Sequence, residues 1–384
     1  MFRINRSDDS KVTSWYFEID RRLLWCVLIL MFLSVLFSLS AGSVAAERIG
    51  KSWHFFMVKA IPFYIAGLIF LFGSSFLNKK QVLLLAGANL VFGLCLLPVT
   101  VISPYMIKNS ARFIHMGFAN VNIMPADIMK PGFIIMTSYF LAKMKQKYGP
   151  EIFMNKDAWR LDTWLSWVWY LALFALVVLI IFNHPDLGTA ALYLCVFSAM
   201  VLIAGLPLSW IPVLVGAGVV MLVVAFYTLG HVHRRIISFW TGTGDTYQVD
   251  NSVDAIRHGG LLGSGDDAFV KQYLPDVHTD FIFAAIVEDM GAILGCCILV
   301  LFFYVFRRLI KIASSSRDLF VLYAVSGTAM LFVGQICFNM LTTLNLFAPK
   351  GMTLPFISYG GSSLLAYCLL FGMVLAIVRD DRWR

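Results

Sequence analysis

Apolar runs, each long enough to span a lipid bilayer, recur from one end of the chain to the other. About 17 to 25 consecutive apolar residues form a helix that crosses the hydrocarbon core. The pattern predicts an all-α integral membrane protein with about ten transmembrane helices, at 23–41, 56–76, 82–101, 125–142, 164–182, 189–205, 210–229, 281–305, 319–344 and 363–378. Charged side chains interrupt the fourth run, at Asp127 and Lys130, and the eighth, at Glu288 and Asp289.

The composition excludes a soluble globular protein. Of the 384 residues, 60% are hydrophobic and 14% are charged, whereas a soluble domain has about 25% charged residues. The formal net charge of +8 could indicate nucleic-acid binding, but the cations lie in loops, so we predict no nucleic-acid partner. All seven cysteines lie inside apolar runs, so we expect small core residues and no disulfide framework.

The distribution of Lys and Arg predicts the orientation of the chain. With the N-terminus inside, the inner segments carry 19 of these cations and the outer loops carry 9, which fits the positive-inside rule with both termini in the cytoplasm. The first run resembles a signal peptide, but an apolar stretch of about 18 residues is long for one, so we expect a retained helix. The predicted organisation is an N-terminal tail (1–22), a polytopic helical domain (23–378) and a C-terminal tail (379–384).

One connection is much longer than the others. Residues 230–280 form a large predicted outer loop that is rich in Gly, Asp and His and has no spanning stretch. Long loops on a helical scaffold often carry function. We therefore expect a functional site beside this loop, and we expect its Gly-rich part to be flexible.

The end of this loop carries the strongest candidate for chemistry, Asp280, and two interpretations are open. In the first, Thr279 caps the following helix, Asp280 favours the positive end of the helix dipole, and Pro275 rigidifies the approach. In the second, Asp280 is a general base at the outer membrane surface, where it accepts a proton from a hydroxyl nucleophile.

Other charged residues have structural and functional interpretations side by side. Arg112 carries a planar fork that suits phosphate, but it could equally anchor a lipid headgroup; Lys350 could anchor its loop. Asp127 and Lys130 are three residues apart, so they share a helix face and are expected to pair inside the bundle. Asp186 lies in a turn with Pro and Gly and is expected to cap the next helix.

Residues 349–363 contain two prolines and a Gly-Gly pair, which predicts a broken or re-entrant segment. Irregular backbone at membrane depth is tolerated only where it is buried in protein or lines a cavity. Together, the predicted outer elements supply a carboxylate and two cations beside the bilayer. Such a set suits a substrate with an anionic phosphate headgroup and a lipid tail.

Five segments in register resemble the SEDS family (shape, elongation, division and sporulation proteins) of bacterial cell-wall polymerases. The segments are Pro125-Ala126-Asp127 with Lys130, Pro185 to Thr189, Gly244 to Gln248 with Gly259 to Gly263, His278 to Ala284, and Pro349 to Ser363. Lys350-Gly351 and Ser362-Ser363 resemble the division-type FtsW branch more than the elongation-type RodA branch. The chain departs from the family pattern at Asp127, where the family commonly has Glu.

The resemblance implies a ten-helix bundle that acts as a peptidoglycan glycosyltransferase, an inverting enzyme that polymerises lipid II into glycan strands at the outer face of the bacterial inner membrane. It makes 230–280 a large periplasmic loop. It also implies a divalent cation (Mg²⁺ or Mn²⁺) and no organic cofactor. The implied partners are lipid II, the growing glycan strand, membrane lipids, a class B penicillin-binding transpeptidase (FtsI-like) and other divisome proteins at the septum.

The resemblance also implies roles for individual residues. Asp280 takes the essential acidic position and is expected to accept the proton of the acceptor sugar's 4-hydroxyl, whose oxygen attacks the donor's anomeric carbon. The expected substrate-binding residues are Arg112 and Lys350, near the pyrophosphate that leaves, and Asp186, His278, Thr279 and Ser362. The expected supporting residues are Asp127, Lys130, Glu288 and Pro275, and no metal ligand is assigned.

Three other functions stay open. A lipid II flippase would also use apolar grooves and cations, but it would place polar groups near the middle of the membrane, whereas the charged candidate site residues here cluster at the predicted outer face. A non-catalytic division scaffold would tolerate the loss of the Asp280 carboxylate. A polymerase for elongation would lie along the sidewall of the cell and not at the septum.

Overall fold

Long helices form nearly all of the structure, a computed structural model that describes residues 11–102, 105–107, 110–116, 121–149, 153, 170–180, 186–241, 247–347 and 351–381. The helices are α1 (Lys11–Glu18), α2 (Arg21–Arg48), α3 (Phe55–Ser75), α4 (Lys79–Ile102), α5 (Pro125–Ile128), α6 (Lys130–Tyr148), α7 (Tyr170–Ile180), α8 (Leu187–Ala204), α9 (Ile211–Thr228), α10 (Gly230–Thr241), α11 (Tyr247–Gly259), α12 (Ile282–Ser315), α13 (Leu319–Thr343) and α14 (Gly361–Asp381). Short 3-10 turns lie at Leu208–Trp210, Gly265–Asp267 and Val270–Tyr273.

The predicted membrane spans coincide with helices. Within the described ranges, eight helices are long and apolar enough to cross a bilayer, and α7 is a shorter apolar helix. Eight of the predicted spans fall on the eight long helices, the fourth falls on α5 and α6, and the described part of the fifth, 170–180, forms α7. The prediction of an all-α integral membrane protein is confirmed.

A small antiparallel sheet between α4 and α5 is an element that the sequence pattern did not predict. Its strands are β1 (Tyr105–Ile107), β2 (Ser110–Met116) and β3 (Val121–Ile123), in the order β1-β2-β3. In the β2–β3 register, Ile114 lies opposite Ile123 and His115 opposite Asn122. The sheet occupies the predicted outer loop 102–124.

The core lies around α14, which is buried along almost all of its length and packs most extensively on α3. The two helices cross closely at Gly372. A Cβ atom at this position would lie 2.5 Å from the carbonyl oxygen of Leu71 and closer still to the hydroxyl of Ser74. Only glycine therefore permits this crossing.

The two ends of the bundle differ in their contacts. At one end, Arg308 pairs with Asp20, and Lys79 Nζ lies 2.7 Å from the Asp318 carboxylate. At the other end, which the charge bias predicts to face outward, the long loop packs on neighbouring helices. There the Arg48 guanidinium donates to the carbonyl of Leu274 at 2.8 Å. We call this second end the loop end.

Within the loop 230–280, α11 and the Gly-rich stretch that follows it pack on α12. Helix α12 is broken at Gly291, which has a left-handed φ of 86°. The backbone N–H groups of Ala292 and Ile293, just after the break, donate to the carbonyls of Gly260 and Leu261 at 2.9 and 3.3 Å. The Gly-rich stretch of the loop thus supplies the carbonyl acceptors that these N–H groups lack within the broken helix.

The expectation that all seven cysteines lie in the core is wrong for five of them. Cys26 and Cys368 are buried, whereas the exposed ones are Cys95, Cys195, Cys296, Cys297 and Cys337. In a membrane the outer surface of the bundle faces apolar lipid, so a small apolar residue suits either side of a helix.

We predict that Gly372→Ala lowers the free energy of unfolding by about 3 kcal/mol, because the added methyl group must displace α3 backbone. Gly216→Ala on α9 is the matched control, since a Cβ there would meet nothing within 4 Å. Thermal unfolding of both variants in the same detergent checks this. Equal unfolding midpoints for the two variants would contradict the assignment of Gly372 as a packing site.

Candidate active site

A tight turn presents Asp280 just before α12. The carbonyl of Asp276, a residue with a φ of 53°, accepts the N–H groups of Thr279 at 3.0 Å and Asp280 at 3.1 Å. Helix α12 begins at Ile282 without a side-chain cap, and the Thr279 hydroxyl donates to the Asp276 carbonyl at 3.2 Å. The interpretation of Thr279 as the helix cap is therefore wrong, because its hydroxyl stabilises the turn. The Asp280 side chain stays partly exposed beside the buried Phe281.

The predicted broken segment lies against this turn. Residues 351–360 form no helix, and Phe356 has a φ of 63°, which is uncommon for a bulky residue. The N–H of Tyr359 donates to the carbonyl of His278 at 2.9 Å. At the start of the segment, a Cβ atom on Gly351 would lie 2.9 Å from Asp280 Oδ2. Two segments about seventy residues apart in sequence thus meet at the Asp280 carboxylate.

Three rings pack together next to this meeting point. The ring of His278 lies 4.3 Å from that of Phe56 and 5.4 Å from that of Tyr359. Burial raises the pKa of the Tyr359 hydroxyl to about 12. Tyr359 is therefore neutral near pH 7, and Asp280 is the better candidate for a base at this end of the bundle.

A buried polar network lies behind the broken segment. Lys130 Nζ lies 2.6 Å from Asp127 Oδ1, as the spacing of these two residues predicted, and donates to Gln335 Oε1 at 2.7 Å. Gln335 Nε2 in turn donates to the carbonyl of Thr353 at 2.8 Å. The Ser362 hydroxyl, 6% exposed as a residue, donates to Asp127 at 3.5 Å. The charged pair is thus connected to the segment that faces Asp280.

Glu288 holds the stretch of the long loop that leads into the Asp280 turn. Its side chain is fully buried and accepts the backbone N–H groups of Val270 at 2.7 Å and Lys271 at 2.6 Å. His258 Nδ1 lies 3.1 Å from the same carboxylate. Lys271 also pairs with Asp289. Glu288 therefore supports the site by holding the chain that leads to half-buried Pro275 and Asp280.

Of the remaining predicted residues, Asp186 lies at the start of α8, and the side chains of Arg112 and Lys350 are not among those that the structure describes. Asp186 is buried and caps α8, where it accepts the N–H and the hydroxyl of Thr189 at 3.1 and 2.8 Å. Arg112 lies on β2, but its side chain is not among those described, and Lys350 lies outside the described residues. The substrate-binding roles of these residues remain predictions.

The described residues near Asp280 do not form a dedicated metal cage. Among the described residues, no group of three or more His, Cys, Asp or Glu side chains could hold a metal ion. A Mg²⁺ ion, however, is often bound by only one or two carboxylates together with substrate phosphates. A cation of that kind would be held mainly by the substrate.

The sequence profile of the cell cycle protein family that comprises FtsW, RodA and SpoVE matches residues 21–382. The chain belongs to this family. A relative from Caulobacter vibrioides named "Probable peptidoglycan glycosyltransferase FtsW" is 32% identical over 381 residues, which cover 97% of this chain and 93% of the relative. A relative of the same name from Coxiella burnetii is 30% identical, over 96% of this chain and 97% of its own.

Solved structures show the same fold as this family member. One is a chain of a peptidoglycan synthase complex that coordinates polymerization and crosslinking; it has a TM-score of 0.75, 22% identity, and coverage of 95% of this chain and 99% of its own. The crystal structure of the rod shape determining protein RodA from Thermus thermophilus has a TM-score of 0.66 and 24% identity. The match covers 94% of this chain and 97% of the RodA chain.

Two buried amides in the site, Gln335 and Asn339, were missed by the sequence analysis. Each is 1% exposed. They lie four residues apart on the apolar helix α13, so both face the same side. Polar side chains within a membrane span usually have a structural or functional partner, and this signal could have identified them.

We predict that Lys130→Met is strongly destabilising, because it leaves the Asp127 carboxylate buried without its cation, at a cost of about 3–5 kcal/mol. The double variant Asp127→Leu/Lys130→Met removes both charges and is expected to regain most of the lost stability. Unfolding midpoints of the wild type, both single variants and the double variant form the measurement. Additive losses in the double variant would contradict direct pairing.

Proposed function

We propose that this protein is a peptidoglycan glycosyltransferase that polymerises lipid II, with Asp280 as its general base. The observation that carries the proposal is the meeting of the Asp280 turn and the segment 351–363 at one carboxylate, at the loop end of a membrane bundle. Membership of the family and the names of its relatives support the same activity.

The chemistry follows from the position of that carboxylate. In the proposed reaction, Asp280 accepts the proton of the acceptor sugar's 4-hydroxyl as the oxygen attacks the anomeric carbon of the donor, with inversion. The leaving group is a lipid pyrophosphate, which is already acidic and needs stabilisation of its charge more than a proton. Arg112 and Lys350 are the cations proposed to provide this stabilisation.

A divalent cation, Mg²⁺ or Mn²⁺, is part of the proposal. When bound, it would shield the charge that develops on the pyrophosphate. No described residue is assigned as its ligand, because an inverting attack places the base Asp280 and the leaving pyrophosphate on opposite faces of the donor sugar. The proposal needs no organic cofactor, because glycosyl transfer from an activated donor requires none.

The proposed setting is the septum of a dividing bacterium. The protein is a multi-pass membrane protein. We propose that it lies in the inner membrane with its loop end in the periplasm, where lipid II, the growing strand and membrane lipids are at hand. The peptidoglycan synthase complex among its structural neighbours supports an FtsI-like class B transpeptidase as partner, with other divisome proteins.

We predict that Asp280→Asn abolishes polymerisation while the protein remains folded, because an amide cannot accept the nucleophile's proton. The matched control is Asp266→Asn, an exposed aspartate in the same loop, which should retain full activity. Both proteins are purified with the partner transpeptidase, supplied with lipid II and Mg²⁺ or Mn²⁺, and scored for the length of the glycan strands.

Other outcomes would change the proposed function or the role of Asp280. Wild-type protein that makes no strands but moves lipid II across vesicles would be a flippase, and the proposal would fail. Normal division of cells that carry only the Asp280→Asn variant would indicate a scaffold. Long strands from both wild type and Asp280→Asn would retain the polymerase and remove Asp280 from the mechanism. Localisation along the sidewall would favour a role in elongation.

A further inference from the structure

We propose that Asn339 is a positioning residue, which fixes the Asp280 carboxylate relative to the backbone at Gly351. The inference rests on the proposed function, in which Asp280 is the base. Asn339 does not touch the reacting atoms in this proposal. It acts through Asp280, by joining the two segments that form the site.

One side-chain amide makes the connection. Asn339 Nδ2 donates to the carbonyl oxygen of Asp280 at 2.8 Å and to the carbonyl oxygen of Met352 at 2.6 Å. Both partners are acceptors, so only the NH₂ group of the amide can face them, and its orientation is determined by the geometry. The residue is 1% exposed, and its bond to Met352 is buried whereas its bond to Asp280 is partly buried.

The second amide on α13 makes the anchor rigid. Gln335, one turn before Asn339, donates to the carbonyl of Thr353, the residue that follows Met352. Its own oxygen accepts from Lys130 at 2.7 Å and from the Tyr367 hydroxyl at 2.9 Å. Successive carbonyls of the broken segment are therefore held by successive turns of one helix. Of the two amides, Asn339 alone also reaches the Asp280 turn.

The Asp280 carboxylate and the backbone at Gly351, which Asn339 holds together, are already in close contact. A single added carbon at Gly351 would lie 2.9 Å from Asp280 Oδ2, so the carboxylate already lies close against the backbone of the opposing segment. The carbonyl that Asn339 holds belongs to the same residue as that carboxylate. A general base must remain within about 2.6–3.2 Å of the proton that it accepts. A shift of the turn therefore moves the base directly.

A purely structural role of Asn339 predicts different kinetics. Loss of the amide leaves two buried carbonyls without a donor, so every variant is expected to lose some stability. A structural residue would reduce the amount of folded protein and leave kcat per folded molecule unchanged. A positioning residue lowers kcat of the folded enzyme while KM changes little, because the amide makes no contact with substrate.

The test compares Asn339→Leu and Asn339→Ala in the full-length protein with its transpeptidase partner. Both variants remove the donor, but only the second removes volume, so a shared effect comes from the hydrogen bonds. We expect kcat on lipid II, per folded molecule by size-exclusion chromatography, to fall about 100-fold in both, with KM within about threefold of wild type. Thr328→Val is the control, since its buried hydroxyl bonds only to its own helix, at Ala324.

Two results would overturn the inference. One is a kcat per folded molecule in both Asn339 variants equal to that of the wild type. The other is an equal loss in Thr328→Val, which would show that any polar deletion in α13 slows the enzyme. Asp280→Asn is measured alongside. If Asp280→Asn is inactive and the Asn339 variants are normal, only the positioning role fails; if Asp280→Asn is fully active, the proposed function of Asp280 fails.

Discussion

The structure of the loop end depends on one constraint: inside a membrane protein, irregular backbone must find its hydrogen-bond partners within the protein, because lipid offers none. The segment 351–360 is not helical, so it leaves carbonyl groups without donors from a helix of its own. Gln335 and Asn339 on α13 supply donors to Met352 and Thr353, and the Ser34 hydroxyl donates to the carbonyl of Ile357 at 2.8 Å. The neighbouring helices thus determine where the irregular chain lies, and the chain determines what faces Asp280.

The same constraint explains why charges are buried behind the site. Desolvation makes a buried ion pair a weak source of stability, so the Asp127–Lys130 pair needs a further reason to be present. Its geometry offers one, because Lys130 orients the amide of Gln335, which then holds Thr353. Glu288 makes an analogous contribution from the other side, where a buried carboxylate accepts two backbone N–H groups of the long loop.

The sequence predicted where the helices lie in the chain, but it did not predict which face of each helix is buried. Run length located the eight helices that are long and apolar enough to span a membrane, because the thickness of the bilayer determines how long an apolar helix must be. The non-helical segment 351–360 lies within the broken segment that the Pro and Gly residues of 349–363 predicted. Which side of a helix faces the core could not be predicted, since lipid and core are equally apolar; the exposed Cys296 and Cys297 show this.

The predictions for the site succeeded where partners are close in sequence. Asp127 and Lys130 pair because they are three residues apart on one face, and Asp186 caps α8 at its own position. Contacts that depend on tertiary structure could not be predicted from the sequence. Examples are the hydrogen bonds of Gln335 and Asn339, and the packing of the Gly-rich stretch of the loop against the break of α12 at Gly291. The interpretation of Thr279 as a helix cap was wrong because its hydroxyl bonds instead to the carbonyl of Asp276 in the turn.

The distribution of buried charge favours catalysis at one surface over transport across the membrane. An alternating-access transporter places its polar groups near the middle of the bilayer, between halves that move. Among the described residues, the buried charged side chains lie at helix ends: Asp20 precedes α2, Asp186 precedes α8, Asp127 and Lys130 lie where α6 begins, and Glu288 lies two turns into α12. Apart from Asp20, all of them lie towards the loop end. Their hydrogen bonds tie adjacent segments together, and a site held from two sides in this way suits a reaction that needs a fixed base more than a pathway that must open.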